Sequence, residues 1–160
     1  MEVRKALPAD LATVDALVEA VYVGENYTPA AQAEALRTAA MRARECDLFV
    51  AVDDAGRIAG CVTLITGQNQ FAQIRRQSEA EVRLLAVSSS SRGTGAGEAL
   101  MRRCIQRATF AGLDQLVLST QPSMLAAHRL YERLEFVRDE SRDWARGTGL
   151  KMLVFTLPLP

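Results

Sequence analysis

Residues 81–97 read Glu81-Val82-Arg83-Leu84-Leu85-Ala86-Val87-Ser88-Ser89-Ser90-Ser91-Arg92-Gly93-Thr94-Gly95-Ala96-Gly97, and the rest of the chain is arranged around them. The apolar run from Leu84 to Val87 is typical of a strand that is covered on both faces. The glycines that follow allow positive φ angles and let a ligand approach the backbone without meeting a Cβ atom. From Gly95 to Ala111 the apolar residues recur at helical spacing. This part of the sequence therefore predicts a strand, a small-residue loop and an amphipathic helix.

The loop from Arg92 to Gly97 has the features of an anion site. The first N–H groups of a helix have no intrahelical acceptor, and they carry the positive end of the helix dipole. Phosphate or pyrophosphate is the anion that such a loop favours. The P-loop pattern requires a Lys that is absent here, and the dinucleotide pattern requires a Gly-x-Gly-x-x-Gly spacing that is also absent. A third pattern, Arg/Gln-x-x-Gly-x-Gly/Ala, is matched by Arg92, Gly95 and Gly97.

With this loop the chain resembles the GCN5-related N-acetyltransferase (GNAT) superfamily, whose members bind acetyl-CoA through the same pattern. A second segment, Ala127–Phe136, is similar to the family signature Ala-x-x-x-Tyr-x-x-x-Gly-Phe. The chain departs from the family at Glu135, where Gly is usual, and at Met124, where Asn is frequent. The resemblance covers the second half of the chain by motif and the first half by pattern alone. It implies that acetyl-CoA is the cosubstrate.

The resemblance also implies roles for individual residues. Tyr131 takes the position of the general acid for the CoA thiolate, and Glu81 takes that of the base that receives the amine proton, directly or through water. A bulge near Ala86 would alter the strand alternation that puts Glu81 and Arg83 on one face. The backbone of the strand would pair with the pantetheine arm, and the loop amides would hold the pyrophosphate. The cofactor-binding residues expected from the resemblance are therefore Leu85, Ala86, Val87, Arg92, Gly93, Thr94, Gly95, Ala96 and Gly97.

The residues themselves leave other roles open. Glu81 is equally compatible with a solvated carboxylate at a strand end that pairs with Arg83, and Glu79 is a weaker alternative for the base. Tyr131 is compatible with a packed core tyrosine.

Composition limits the class of protein. The chain has 160 residues, of which 49% are apolar and 24% charged, and this predicts a single globular domain over residues 1–160. A net charge of zero argues against a basic nucleic-acid-binding surface. Three scattered cysteines and a single His form no zinc or disulfide pattern, so we expect no metal and a reducing, cytoplasmic setting. The sequence shows neither a signal peptide nor a membrane-spanning segment, so we expect no membrane partner.

The order of elements predicts an α/β (α+β) fold of the GNAT type: a central twisted, mixed and mainly antiparallel sheet of about seven strands, flanked by four helices. The second helix is expected from Pro29 to about Arg44, and residues 67–78 and 139–148 are expected to be polar loops. The family arrangement puts the acceptor pocket against the first two helices. Tyr22, Glu25 and Tyr27 are therefore candidates for substrate contact, and packing of the two tyrosines is the alternative.

These observations favour an acetyl-CoA-dependent N-acyltransferase that acts on a small-molecule or peptide amine, as a monomer or homodimer. A fold does not fix a function, so a non-catalytic acyl-CoA-binding or sensing module remains a second hypothesis. A nucleotide-binding regulator is a third. The sequence does not identify the acceptor amine.

Overall fold

An eight-stranded sheet forms the centre of the computed structural model, which describes all 160 residues. Its strands are β1 (Glu2–Lys5), β2 (Asp47–Val52), β3 (Ile58–Ile65), β4 (Glu79–Val87), β5 (Gln115–Thr120), β6 (Val137–Arg138), β7 (Trp144–Ala145) and β8 (Lys151–Pro158). The order across the sheet is β1-β2-β3-β4-β5-β8-β6, with β7 also paired to β8. Only β4 and β5 are parallel. The predicted fold is confirmed; the two-residue β7 lies in the segment that was expected to be a loop.

Helices cover both faces of the sheet. They are α1 (Leu11–Tyr22), α2 (Ala39–Glu45), α3 (Ala96–Phe110) and α4 (Leu125–Arg133). Alternate residues of β2 show the division: Phe49 and Ala51 belong to the cluster that contains α3 and α4, whereas Leu48 and Val50 belong to the one that contains α1 and α2. The α3 face predicted from the sequence is confirmed, because Leu100, Met101, Cys104 and Ala108 are buried. None of the helices is both long and apolar enough to cross a bilayer.

The predicted second helix is interrupted. A 3₁₀ helix covers Ala30–Leu36, the backbone leaves the helical region at Arg37, and α2 begins only at Ala39. Contacts with α1 explain the break, because Arg37 pairs with Glu19 and the amide of Ala39 donates to a carboxylate oxygen of Asp15 at 3.1 Å. The expectation of one continuous helix from Pro29 to Arg44 was therefore wrong.

The middle of β4 departs from regular pairing in two ways. Its parallel pairing with β5 ends at Val82, opposite Leu118, so the edge beyond that point has no strand beside it. Its pairing with β3 shifts by one residue, because Leu84 and Leu85 together lie opposite Val62, and Leu84 has a φ of 54°. This is the bulge expected near Ala86, and it lies one to two residues earlier. The sheet therefore opens between β4 and β5.

The two segments expected to be polar loops pack against the sheet. Phe71 of the first is buried. Arg142 of the second forms a buried ion pair with Glu79 at 2.7 Å and also donates to the carbonyl of Ile74 at 2.9 Å. Trp144 donates to the hydroxyl of Ser119 at 2.9 Å. The two segments are thus held to each other and to the sheet.

Candidate functional site

The loop that precedes α3 presents backbone amides with no protein acceptor. Apart from the amide of Thr94, which donates to the carbonyl of Ser91, the amides from Arg92 to Gly97 make no hydrogen bond to the protein. Positive φ angles of 78° at Gly93 and 87° at Gly95 turn the chain so that the helix can begin. Gly97 is required for close packing instead, because a Cβ there would lie 3.2 Å from the side chain of Leu130. The loop thus offers the unpaired donors that an anion requires.

These amides line the larger of two neighbouring cavities, which has a volume of about 480 Å³. The loop forms one wall, α4 supplies Ala126, Ala127, Leu130 and Arg133, and β4 supplies Leu85 and Val87. The wall is more apolar than polar, and the loop contributes unpaired backbone donors to it. An elongated ligand with an apolar arm and a phosphate end fits this distribution. Coenzyme A has that form, so the residues present fit the cosubstrate that the resemblance implies.

A smaller cavity of about 70 Å³ adjoins the first one at the opening between β4 and β5. The two cavities share the lining residues Tyr22, Leu85, Met124 and Ala127. Tyr22 donates from its hydroxyl to the carbonyl of Leu85 at 3.2 Å, so it stands at the junction. The bulge and the end of parallel pairing therefore leave room for two adjoining cavities with a shared wall.

Tyr131 lines the smaller cavity. Its ring packs on Phe136 and Phe155, with centroids 5.7 and 5.8 Å away, and its hydroxyl makes no hydrogen bond to the protein. Burial raises the pKa of this phenol, so it stays protonated at neutral pH. The side chain is therefore both packed and free to donate a proton or hydrogen bond into the cavity.

Glu81 lines neither cavity. Its side chain is fully buried, and Oε1 accepts hydrogen bonds from the amides of Gln73, Ile74 and Arg75 at 2.9 to 3.1 Å. Oε2 is buried without a partner. The solvated strand-end carboxylate considered from the sequence is thus wrong. Glu81 instead anchors residues 73–75, and Gln73 of that segment lines the smaller cavity.

Arg92 pairs with Glu25 across the mouth of the larger cavity. The contact links the loop before α3 to the turn after α1. Behind it, Tyr27 packs edge-on to Tyr22 with centroids 6.2 Å apart, and its carbonyl accepts from Gln121 at 2.9 Å. The residues singled out in the first helical region therefore all line the larger cavity, and Tyr22 lines the smaller one as well.

Three arginines at the site are not among the site residues predicted from the sequence. Arg133 of α4 lines the larger cavity, while Arg83 of β4 and Arg146, which follows β7, line the smaller one. Arg83 was visible only as a strand neighbour of Glu81, and Arg146 lay in an unassigned loop. No local pattern identifies Arg83 and Arg146, because the folding of residues 139–148 over the sheet brings these two to one cavity.

Comparisons with known proteins agree with this geometry. A family model described as the acetyltransferase (GNAT) family matches residues 13–136. The N-acetylaspartate synthetase of Danio rerio is 42% identical over 65 residues, which make up 40% of this chain and 23% of that protein. The chain thus matches less than a quarter of that relative's length.

Solved structures share the fold at low identity. An acetyltransferase of GNAT family from Staphylococcus aureus Mu50 has a TM-score of 0.78 at 13% identity, and the match covers 99% of each chain. A GNAT superfamily phosphinothricin acetyltransferase from Sinorhizobium meliloti, solved in complex with acetyl-CoA, has a TM-score of 0.74 at 21% identity, with coverage of 99% of this chain and 88% of the other. The architecture is therefore that of these enzymes.

Proposed function

Because the chain belongs to the acetyltransferase (GNAT) family, we propose that it moves an acetyl group from acetyl-CoA to a primary amine by direct attack of the amine. Members of this family carry out acetyl-CoA-dependent N-acetylation of small-molecule or protein amines. The observation that carries the proposal is the set of unpaired amides between Arg92 and Gly97, beside a cavity of about 480 Å³.

Direct attack is supported by the composition of the cavity walls. Cys46, Cys61 and Cys104 line neither cavity, so the walls offer no thiol to carry the acetyl group. The two cavities meet at Leu85, which allows the amine and the thioester to be bound at the same time. The amine nitrogen forms a bond to the carbonyl carbon, and the bond between that carbon and sulfur breaks.

Two protons move in this reaction, and we assign each to a residue. Tyr131 donates to the leaving sulfur, which is supported by its free hydroxyl and its high pKa. Glu81 receives the amine proton through water, since it lies behind the wall of the smaller cavity rather than in it and its Oε2 has no partner. The unpaired edge of β4 beyond Val82 is the proposed seat of the pantetheine arm and of the thioester carbonyl.

The amides of the loop hold the pyrophosphate in this proposal. Arg92 contributes a charge after it exchanges its contact with Glu25 for one with phosphate. Arg133, which lines the same cavity, adds a second positive charge near the phosphate groups.

Melting temperature and thiol release test the proposal together. Acetyl-CoA at about 100 times its dissociation constant should stabilise the fold by about 2.7 kcal/mol, and ATP or NAD should shift the melting temperature less. A panel of amines with acetyl-CoA should then release thiol for at least one member. Binding without turnover of any amine would favour the non-catalytic acyl-CoA-binding module. A larger shift with ATP or NAD would favour the nucleotide-binding regulator and reject the acetyltransferase.

A further inference from the structure

We propose that the amine acceptor is a small amino acid whose carboxylate binds Arg83 and Arg146 in the smaller cavity. This inference rests on the proposed acetyl transfer and names the class of acceptor for the same site. It is carried by two unpaired guanidinium groups that line one cavity of about 70 Å³.

Arg83 and Arg146 lack the carboxylate partners that guanidinium groups inside a protein normally have. Neither Arg83 nor Arg146 forms an ion pair with a carboxylate. Arg83 donates through Nη1 to the carbonyl of Phe71 at 3.0 Å. Nε of Arg146 is buried and has no hydrogen-bond partner. A buried donor without an acceptor is costly, and a guanidinium offers a carboxylate two parallel donors.

A third arginine adds to the positive charge behind the cavity. Arg42 is fully buried, its Nη1 donates to the hydroxyl of Thr63 at 2.6 Å, and its Nη2 has no partner. Burial lowers the pKa of Arg83, and repulsion from Arg146 and Arg42 lowers it further. The charge of Glu81 acts in the opposite direction and raises the pKa of Arg83. Burial also lowers the pKa of Arg42, and the charge of Asp15 opposes that shift. None of these three guanidinium groups has an ion-pair partner, so a bound anion would supply the missing counter-charge.

The rest of the cavity suits a small molecule with two polar ends. Its wall includes the polar residues Gln73, Ser119, Thr120 and Gln121. Tyr22 and Leu85 mark the end that adjoins the larger cavity, where an amine would meet the thioester. A ligand with its amine at this end and its carboxylate at the arginines spans the cavity. A cavity of about 70 Å³ admits a small molecule or a chain end, and of these a free amino acid carries a carboxylate next to its amine.

Matched pairs of acceptors test the inference. Each pair contains an amino acid and the amine that remains when its α-carboxylate is removed: L-alanine and ethylamine, L-methionine and 3-methylthiopropylamine, L-phenylalanine and phenethylamine, L-aspartate and β-alanine, and L-glutamate and γ-aminobutyrate. Thiol release from acetyl-CoA gives kcat/KM for each compound. At least one amino acid should exceed its partner by about tenfold or more, the value of a charge-assisted hydrogen bond.

Variants connect that preference to the cavity. Arg146→Ala should raise KM for the preferred amino acid by about tenfold or more and leave KM for acetyl-CoA unchanged. Arg146→Lys should give an intermediate KM for the amino acid, because it keeps the positive charge but loses the two parallel N–H donors of the guanidinium group. Arg129→Ala is the matched control, since Arg129 is an exposed arginine of α4 that lines neither cavity. Calorimetry of the same amino acids with the CoA-bound protein gives a readout that does not need turnover.

The outcomes separate this inference from the proposed function. Acetylation of ethylamine, 3-methylthiopropylamine or phenethylamine, which have no carboxylate, as efficient as that of the matching amino acid would overturn the inference and leave the acetyltransferase intact, and so would a preference that survives Arg146→Ala. Acetyl-CoA binding without binding or turnover of any amino acid would overturn it as well. Failure of acetyl-CoA to bind would reject the proposed function, and binding of an amino acid that Arg146→Ala abolishes would then still support the carboxylate site.

Discussion

The phenol of Tyr131 is the side chain on which the proposed chemistry depends most directly. Tyr131→Phe should lower kcat by about 100-fold, the usual contribution of a general acid, and should leave acetyl-CoA affinity nearly unchanged. The fold should tolerate the change, because the hydroxyl has no hydrogen bond to the protein and the ring remains packed. Steady-state kinetics and calorimetry check both parts. An unchanged kcat would show that Tyr131 is not the acid.

The role of Glu81 can be separated from its structural contacts by an amide. Glu81→Gln keeps a side-chain oxygen that accepts from the amides of residues 73–75, so the anchored segment should stay in place. If Glu81 takes up the amine proton, the variant should lower kcat by about 100-fold. Glu81→Ala is the companion variant, because it also removes the anchor and should lower the melting temperature. Normal kcat in Glu81→Gln would limit Glu81 to the anchoring role.

Glu135 occupies a backbone conformation that suits glycine. It follows α4 with a φ of 69°, and this is the position where the family usually carries Gly. Glu135→Gly should therefore raise the free energy of unfolding by about 1 kcal/mol, measured by chemical denaturation. Glu132→Gly, inside α4, is the control and should lower stability by about 1 kcal/mol. Destabilisation by both substitutions would mean that the left-handed residue carries no strain.

At the level of elements, the loop before α3 can be tested at Gly95. Any other residue at this position would have to adopt a φ of 87°, and its side chain would lie beside the free amides. No protein atom lies within 4 Å of an added Cβ, so the protein itself leaves space for the side chain. Gly95→Val should therefore abolish acetyl-CoA binding in calorimetry and lower stability by about 1–2 kcal/mol. Gly112→Val is matched to it, since Gly112 has a φ of 76°, equally open space and no place in either cavity. Binding by Gly95→Val as tight as by Gly112→Val would remove the loop from the pyrophosphate site.

Elements that depend on local pattern were predictable, and elements that depend on distant contacts were not. The strand, loop and helix around residues 84–110 follow from apolar spacing and from glycines. The break at Arg37 could not be predicted, because it depends on Glu19 and Asp15 of α1. The presence of Arg83 and Arg146 in one cavity could not be predicted either, because the two residues are far apart in sequence and only the tertiary fold brings them to the same cavity. Tertiary contacts override local propensity at these points.

Across the whole molecule, ionisable groups set a pH window of stability. Although burial of Glu79 opposes its ionisation, hydrogen bonds from Arg142 and the amide of Arg76 lower its pKa below 4.5, and the guanidinium of Arg138 lowers that of Asp143. Stability from these carboxylates is present above their unfolded pKa values and is lost as the pH falls through the folded ones.

Buried thiols and phenols set the upper limit of this window. Burial raises the pKa of Cys61 from 9.0 to about 12 and that of Tyr22 from 10.0 to about 12. Because these folded pKa values are raised, their contribution is complete below the unfolded values and is lost as the pH rises from about 9 toward 12. The free energy of unfolding should therefore be flat near neutral pH and fall on both sides.

Removal of one ion pair tests the acid side. Arg142→Met leaves Glu79 buried without its cation, so it should lower the free energy of unfolding by about 3 kcal/mol at pH 7 and flatten the fall below pH about 5. Arg102→Met is the control, because Arg102 is 63% exposed and its contact with Glu98 should contribute less than about 1 kcal/mol. Equal effects of the two substitutions in denaturant titrations would contradict the role of the buried pair.

The meeting of the two cavities at Leu85 has a consequence for the order of events during turnover. In the proposed reaction acetyl-CoA and the amine occupy different cavities, so neither has to depart before the other enters. Under this proposal both reactants must be bound together before the acetyl group is transferred, and no acetylated form of the protein is expected. We therefore expect a sequential kinetic mechanism with a ternary complex, rather than a ping-pong exchange.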